Sequence, residues 1–176
     1  MAGQRLTDKT ALEEQFSSGD LLMVVDVNDT TGSAEGTSKK YDAKFLMQTD
    51  KFSLTNAEIK ALNSTPKTLV GALSGYYINV FSFTMFVTYA SSTESSSKDL
   101  LLTYDTSDSS TNWTIIRDCM NSKTTDITFI TNSSGSSAGA CATSILNKPF
   151  MMSASGAFNG GWTADVYVTY NYVKVL

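Results

Sequence analysis

The chain has 176 residues and a mass of 19.0 kDa, which allows one ordinary domain with a small appendage. Its content of 41% hydrophobic and 17% charged residues is that of a folding protein and excludes an intrinsically disordered one. A net charge of −4 without a basic tract argues against a nucleic-acid partner, and the apolar segment 21–25 is far too short for membrane insertion.

The N-terminal part of the chain contains a helix signal followed by a hairpin signal. Thr10 and Glu13 have the spacing of a capping box, which predicts a short helix over about residues 11–16. The apolar run 21–25, a polar loop containing glycine, and the return segment 36–40 together predict a β-hairpin. Such a hairpin is too small to bury its own apolar side, so we expect it to pack against a second copy, a partner protein or the downstream domain.

Two further helical signals follow the hairpin. Residues 42–48 predict one or two helical turns. Thr55 and Glu58 again have capping-box spacing, which predicts a second short helix that ends before an Asn-Ser-Thr-Pro breaker. We therefore predict an N-terminal attachment module over residues 1–50 and a β domain over residues 51–176.

The remainder of the chain is rich in strand-forming residues separated by loops of Ser and Gly. The predicted strands cover residues 68–73, 76–90, 99–104, 111–116, 126–131, 148–153 and 162–176. Strands at this spacing, with no helical segment between them, predict a mainly β protein with an antiparallel β-sandwich of the jelly-roll type.

The predicted strand 76–90 is apolar at both odd and even positions, including Ile78 and Val80. A strand that is apolar on both sides needs cover on both sides, and one side would meet the opposite sheet. The other side predicts an interface between copies of the chain. The residues predicted for this interface are Tyr77, Phe81, Phe83, Met85 and Val87.

The residues that could carry catalysis or bind metal are few. The chain has no histidine, which excludes a Ser-His-Asp site and the usual zinc combinations. Cys119 and Cys141 lie in no CxxC motif and are predicted to be reduced thiols, with a disulfide only after release into an oxidising medium. Asp105 and Asp108 lie in a Ser/Thr-rich loop, where a solvated turn explains them better than a glycosidase pair does. We predict no catalytic residue, no metal site and no cofactor.

Three local patterns have weaker functional interpretations. Residues 32–39 contain the glycines and lysine of a phosphate loop at the wrong spacing. The loop that begins with Asp26, Asn28 and Asp29 resembles a calcium loop without its glycine, so a structural metal remains an open alternative. Trp113 and Trp162 favour core packing or a subunit interface over stacking on sugar rings.

Two segments resemble proteins of tailed-bacteriophage virions. Residues 19–41 resemble a recurrent N-terminal element of these proteins, G-D-L-L-x-V-V-D-V-x-D-T-T followed by G-T-S-K-K. Residues 55–70 resemble the entry into β domains of phage head-fibre, decoration and tail-associated proteins, and residues 160–170 resemble the closing strand of those domains.

The resemblance implies a structural virion protein, assembled in the host cytoplasm, that decorates the head or forms a head fibre. The N-terminal module would dock on the major capsid or connector protein through Leu22, Val24, Lys39 and Lys40, and the β domain would project as a homotrimer. Alternatively, the two apolar residues Leu22 and Val24 would pack on the β domain. The alternative functions are a tail or baseplate protein that binds host-surface glycan and a minor capsid or connector component without a ligand.

Overall fold

The computed structural model describes residues 20–105, 112–132 and 145–175. It divides the chain into two compact units, Met1–Gln48 and Thr49–Leu176. The described part of the first unit is a hairpin with one turn of 3₁₀ helix, and the second unit contains two four-stranded sheets. The helix predicted over residues 11–16 lies outside the described residues.

The described residues form ten strands, one α-helix and one 3₁₀ turn. The strands are β1 Leu21–Asp26, β2 Thr37–Asp42, β3 Gln48–Leu54, β4 Lys67–Val70, β5 Tyr76–Tyr89, β6 Leu100–Thr103, β7 Asn112–Ile116, β8 Ile127–Thr131, β9 Phe150–Ala154 and β10 Trp162–Lys174. The helix α1 covers Asn56–Ala61, and the 3₁₀ turn covers Ala43–Phe45.

The predicted hairpin is the pair β1 and β2, antiparallel from Leu21 opposite Asp42 to Asp26 opposite Thr37. The return into β2 requires a glycine at position 36. Gly36 has φ +121°, and a Cβ there would lie 2.8 Å from the carbonyl oxygen of Asp26. Because an L side chain disfavours that φ and would collide with β1, Gly36 determines how the loop closes.

The segment after β2 forms one 3₁₀ turn and then a strand. Asp42 caps this turn by accepting a hydrogen bond from the amide of Lys44 at 3.0 Å. Of the one or two helical turns predicted over residues 42–48, one is present, and β3 begins at Gln48. The predicted boundary after residue 50 and the division of the compact units after Gln48 both fall within β3, two residues apart.

The eight strands from β3 to β10 form a jelly roll. One sheet has the order β3-β10-β5-β8 and the other the order β4-β9-β6-β7. From β3 to β10 the chain crosses repeatedly between the two sheets. The first and last of these eight strands, β3 and β10, lie side by side, as in an eight-stranded jelly roll. The prediction of a mainly β, antiparallel sandwich is thereby confirmed.

Helix α1 begins at the predicted capping box. The Thr55 hydroxyl accepts a hydrogen bond from the amide of Glu58, and the Glu58 carboxylate accepts one from the amide of Thr55 at 2.9 Å. Ile59 and Leu62 are each 1% exposed and belong to the core. The short helix thus has its first turn satisfied and its apolar side buried.

The core lies between the two sheets and is filled by large side chains from both. Trp162, Phe83 and Phe150 are among its largest fully buried members. Each contributes about 1.5–3 kcal/mol or more by leaving water. Trp113 and Trp162 are 6% and 1% exposed, so both belong to the core and neither is placed to stack on a sugar.

A β-bulge explains the apolar residues on both sides of β5. Val80 lies opposite Tyr170 and Ser82 opposite Thr169, so Phe81 is an extra residue without a partner. A bulge of this kind shifts the alternation of the strand by one residue. The inward positions are therefore even before the bulge and odd after it; the buried side chains are Ile78, Val80, Phe83, Met85 and Val87.

Because of the bulge, three of the five residues predicted for an interface between copies are buried within the chain itself. Phe83, Met85 and Val87 are at most 2% exposed and belong to the core of their own chain. Their assignment to an interface was wrong, because it assumed unbroken alternation along β5.

Glu94 is a buried carboxylate that holds three loop segments together. It is 1% exposed, and its Oε2 accepts from the amides of Asn159 at 2.8 Å and Gly160 at 2.9 Å. Its Oε1 accepts from the amide and hydroxyl of Ser96, and its own carbonyl accepts from the amide of Ser122. Burial raises the pKa of Glu94, but the hydrogen bonds together lower it below its ordinary value. The carboxylate thus stabilises the fold at neutral pH, and this contribution is lost as pH falls from the ordinary pKa of glutamate through the lowered one.

We expect Glu94→Gln to lower the free energy of unfolding by about 1–3 kcal/mol, because the amide NH₂ would face backbone N–H donors. Urea denaturation followed by the fluorescence of buried Trp113 and Trp162 measures the change. Glu35→Gln makes the same chemical change at an exposed position and should leave stability within about 0.5 kcal/mol of wild type. Equal stability of the Glu94 variant and wild type would show that the carboxylate does not hold these loops.

Candidate functional site

The hairpin exposes an apolar face. Leu21, Met23 and Val25 alternate along β1, and their side chains are 58%, 81% and 58% exposed. Ser38 and Lys40 lie opposite Val25 and Met23 on β2, on the same side of the two-stranded sheet. We call these five residues the hairpin face; next to it, Val27 is a further exposed apolar residue.

A cleft opens at one end of the hairpin face. It has a volume of about 310 Å³ and a mostly apolar floor. Its lining residues are Leu21, Leu22, Met23, Ser38, Lys39 and Lys40. The cleft is large enough for one or two side chains of another molecule, and among the described residues its charged lining residues are Lys39 and Lys40.

The predicted docking residues Leu22 and Val24 lie on the opposite side of β1. Leu22 is half-buried and Val24 is 38% exposed, and their partners on β2 are Tyr41 and Lys39. The most exposed side chain of the strand, Met23, was missed by sequence reasoning. An unbroken apolar run such as Leu-Leu-Met-Val-Val does not tell which of its two sides is covered.

The predicted docking residue Lys39 is bound within its own loop. Its Nζ lies 2.8 Å from Oδ2 of Asp26 and 2.8 Å from Oδ2 of Asp29. Hydrogen bonds from Lys39 lower the pKa of both aspartates, and the two aspartates raise the pKa of Lys39. The ammonium group therefore lies where the calcium-like loop would hold a cation. In the part of the chain that the structure describes, no three acidic, Cys or His side chains are grouped to bind a metal.

Lys40, the fourth predicted docking residue, is placed differently from its neighbour. It belongs to the hairpin face beside Met23 and is exposed. Among residues 20–105, 112–132 and 145–175 no carboxylate forms an ion pair with it. The two adjacent lysines thus differ: Lys39 forms ion pairs with two aspartates of the loop, and the ammonium group of Lys40 is exposed to solvent.

The jelly roll has a smaller exposed apolar patch, formed by Phe86, Ile130 and Tyr167. Phe86 is 48% exposed and meets Tyr167 edge-to-face with ring centroids 5.7 Å apart. Ile130, on the neighbouring strand β8, is 66% exposed. Of the predicted interface residues, Phe81 is 42% exposed, whereas Tyr77 packs partly against the core.

The remaining candidate reactive groups have structural surroundings. The Asp105 carboxylate lies 2.7 Å from Nζ of Lys148, and Asp108 lies outside the described residues. Cys119 is a free, fully buried thiol; burial raises its pKa to about 12, so it is protonated at neutral pH. Cys141 also lies outside the described residues.

The contrast between the two lysines predicts different effects of the same substitution. Lys39→Met should loosen the hairpin, since Asp26 and Asp29 would repel each other without the ammonium group. We expect amide hydrogen exchange of β1 and β2 to become about twofold to fivefold faster. Lys40→Met is the matched control and should leave exchange unchanged. Equal exchange in both variants would show that Lys39 does not order the loop.

Comparison with known proteins assigns no family to the chain. No protein-family model matches it, and no curated protein matches it. Within the described ranges, no helix is both long and apolar enough to cross a membrane. The hairpin face is therefore identified by its geometry alone as the candidate functional site.

Proposed function

We propose that the chain is a structural component of a tailed-phage virion, a head-decoration or head-fibre protein. In this proposal the hairpin docks on the major capsid or connector protein, and the jelly roll projects from the particle. The sequence resemblance of residues 19–41, 55–70 and 160–170 to phage virion proteins supports the class of protein. The exposed hairpin face is the single structural observation that carries the docking role.

The physical argument for docking is that the hairpin lacks a core of its own. A two-stranded sheet is marginally stable in water, and its apolar side chains lower the free energy when they are buried. Leu21, Met23 and Val25 are all more than half exposed. Burying each of them against a partner would contribute about 1–2 kcal/mol, so docking would both attach the protein and order the hairpin.

The jelly roll is suited to projection because it has a separate core. Its buried cluster runs from Leu54 to Tyr170 and contains no residue of the hairpin strands. The domain therefore does not depend on the hairpin face for its apolar burial. This arrangement allows one unit to attach while the other remains accessible on the particle.

Homotrimerisation is the second part of the proposal, and the family resemblance supports it. Phe83, Met85 and Val87 lie in the core, so they cannot form contacts between copies. Among the described residues of the jelly roll, the most exposed large apolar side chains are Ile130, Phe86 and Phe81. An exposed patch of this kind is typical of a surface that meets another protein.

One observation favours the alternative of a tail or baseplate protein that binds glycan. The Phe86 and Tyr167 rings lie beside Asp165, which pairs with Lys51 at 2.8 Å on the same side of the sheet. Aromatic rings next to charged hydrogen-bonding groups are typical of sugar-binding surfaces. A glycan array probed with wild type and Phe86→Ala separates this alternative from a purely structural role.

If the hairpin face docks on the particle, negative charges introduced in place of its apolar side chains should prevent attachment. Met23→Asp combined with Val25→Asp should reduce co-sedimentation with particles assembled without this protein by at least about tenfold, because carboxylates would be buried. Ile115→Asp combined with Val175→Asp is the matched control, since these residues are 36% and 37% exposed and belong to the jelly-roll unit but not to the patch around Phe86. Equal attachment by the double variant and the control would remove the hairpin face as the docking site.

The trimer predicts a mass of about three times 19.0 kDa in light scattering at micromolar concentration. Phe86→Glu should shift this mass toward the monomer by placing a charge in the contact between copies. Thr68→Glu places the same charge at an exposed position of β4, in the other sheet and outside the apolar patch, and should have a smaller effect. A stable wild-type monomer would contradict the trimer and leave the docking proposal intact.

A further inference from the structure

We infer that the hairpin face binds a partner protein whose contact surface presents an apolar side chain next to a carboxylate, and that Lys40 selects for the carboxylate. The inference rests on the proposed function and specifies the chemistry of the docking partner. It depends on the distribution of charge on the hairpin, the position of the cleft and the symmetry of possible contacts.

The charged side chains of strands β1 and β2 are paired within the hairpin unit, except for Lys40 on the hairpin face. Lys39 is paired with Asp26 and Asp29, and Lys44 with Asp42 at 2.8 Å. Lys40 has no such partner among the described residues. A lysine that is buried at an interface without a counter-charge is costly, so a surface that covers the hairpin face must supply an acceptor or a carboxylate for it.

The cleft places this charge beside an apolar floor. Lys40 lines the same cleft as Leu21, Leu22 and Met23. An apolar side chain entering the cleft would therefore lie within reach of the flexible Lys40 ammonium group. A neighbouring carboxylate on the partner would complete the contact, since partly buried charged pairs add specificity to an apolar interface.

A second copy of this chain does not satisfy these requirements at the same face. In a two-fold contact the same patch faces itself, so a carboxylate for Lys40 would have to come from that patch. Asp42, which lies opposite Leu21 on β2, is already paired with Lys44, so the two copies would bring two Lys40 side chains to one contact without a free counter-charge. Like charges across such a contact oppose association. The hairpin face also offers one lysine and no basic cluster, which is too little for recognition of an anionic lipid surface.

The test uses full-length protein and particles assembled without it. Lys40→Glu should weaken binding at least about tenfold at low salt, and Lys40→Met by a smaller factor. Wild-type binding should weaken with rising salt, whereas Lys40→Met binding should depend on salt less. Lys123→Glu is the control, because Lys123 is an exposed lysine of the jelly roll.

Zero-length crosslinking identifies the partner group directly. A carbodiimide joins an amine to a carboxylate in contact with it, so mass spectrometry of the bound complex should find Lys40 linked to an Asp or Glu of a virion protein. Lys40→Met should lose that crosslink, and Lys123→Met should retain it. A crosslink from Lys40 to another copy of this chain would overturn the inference.

The outcomes separate this inference from the docking proposal. If Met23→Asp abolishes attachment while Lys40→Glu binds as wild type does, the hairpin docks but Lys40 does not select the partner, and the inference fails alone. If neither substitution changes attachment, the docking proposal fails and the inference fails with it. If both reduce attachment and the crosslink to a virion carboxylate is found, both are supported.

Discussion

The pairing of β5 with β10 is the interaction on which the jelly roll depends. These are the longest strands, with 14 and 13 residues, and they form the centre of one sheet. Their inward side chains meet the second sheet, and the bulge at Phe81 keeps those side chains inward along the whole strand. Without the bulge, either Ile78 and Val80 or Phe83 and Met85 would face away from the core. The register of this single pair therefore determines which apolar residues remain for contacts with other molecules.

The entry into β10 depends on close backbone packing around Glu94. A Cβ on Gly161 would collide with the Ser91 hydroxyl oxygen, and one on Gly160 would lie 3.0 Å from the amide nitrogen of Glu94. The two glycines let the loops approach closely enough for Glu94 to accept hydrogen bonds from backbone amides. A buried carboxylate is tolerated there because these donors compensate for its lost hydration.

In the hairpin, charged side chains of the loop neutralise one another, while apolar side chains of the hairpin face are exposed. Lys39 holds the loop through two aspartates, while the side chains on the hairpin face have little cover. The loop is thus ordered by polar contacts that do not use the apolar face, which leaves that face exposed. The jelly roll shows the opposite arrangement, with most of its apolar side chains enclosed and a small patch around Phe86 exposed.

Local sequence signals determined much of the secondary structure and excluded catalytic sites that require histidine. Thr55 and Glu58 marked the start of α1, the β-branched and aromatic segments marked strands β4 to β10, and the absence of histidine excluded a serine-protease-type site. These features depend on neighbours in the chain, so the sequence contains the information directly.

Only the tertiary structure decided which side of each apolar segment is covered. β3 was missed because its polar residues become a strand through pairing with β10, for example where the Ser53 hydroxyl donates to Asp165 at 2.6 Å. The side of β1 that carries Met23 and the bulge at Phe81 likewise follow from partners distant in the chain. The different roles of Lys39 and Lys40 have the same origin, because adjacent residues of a strand point to opposite sides and the fold determines what each side meets.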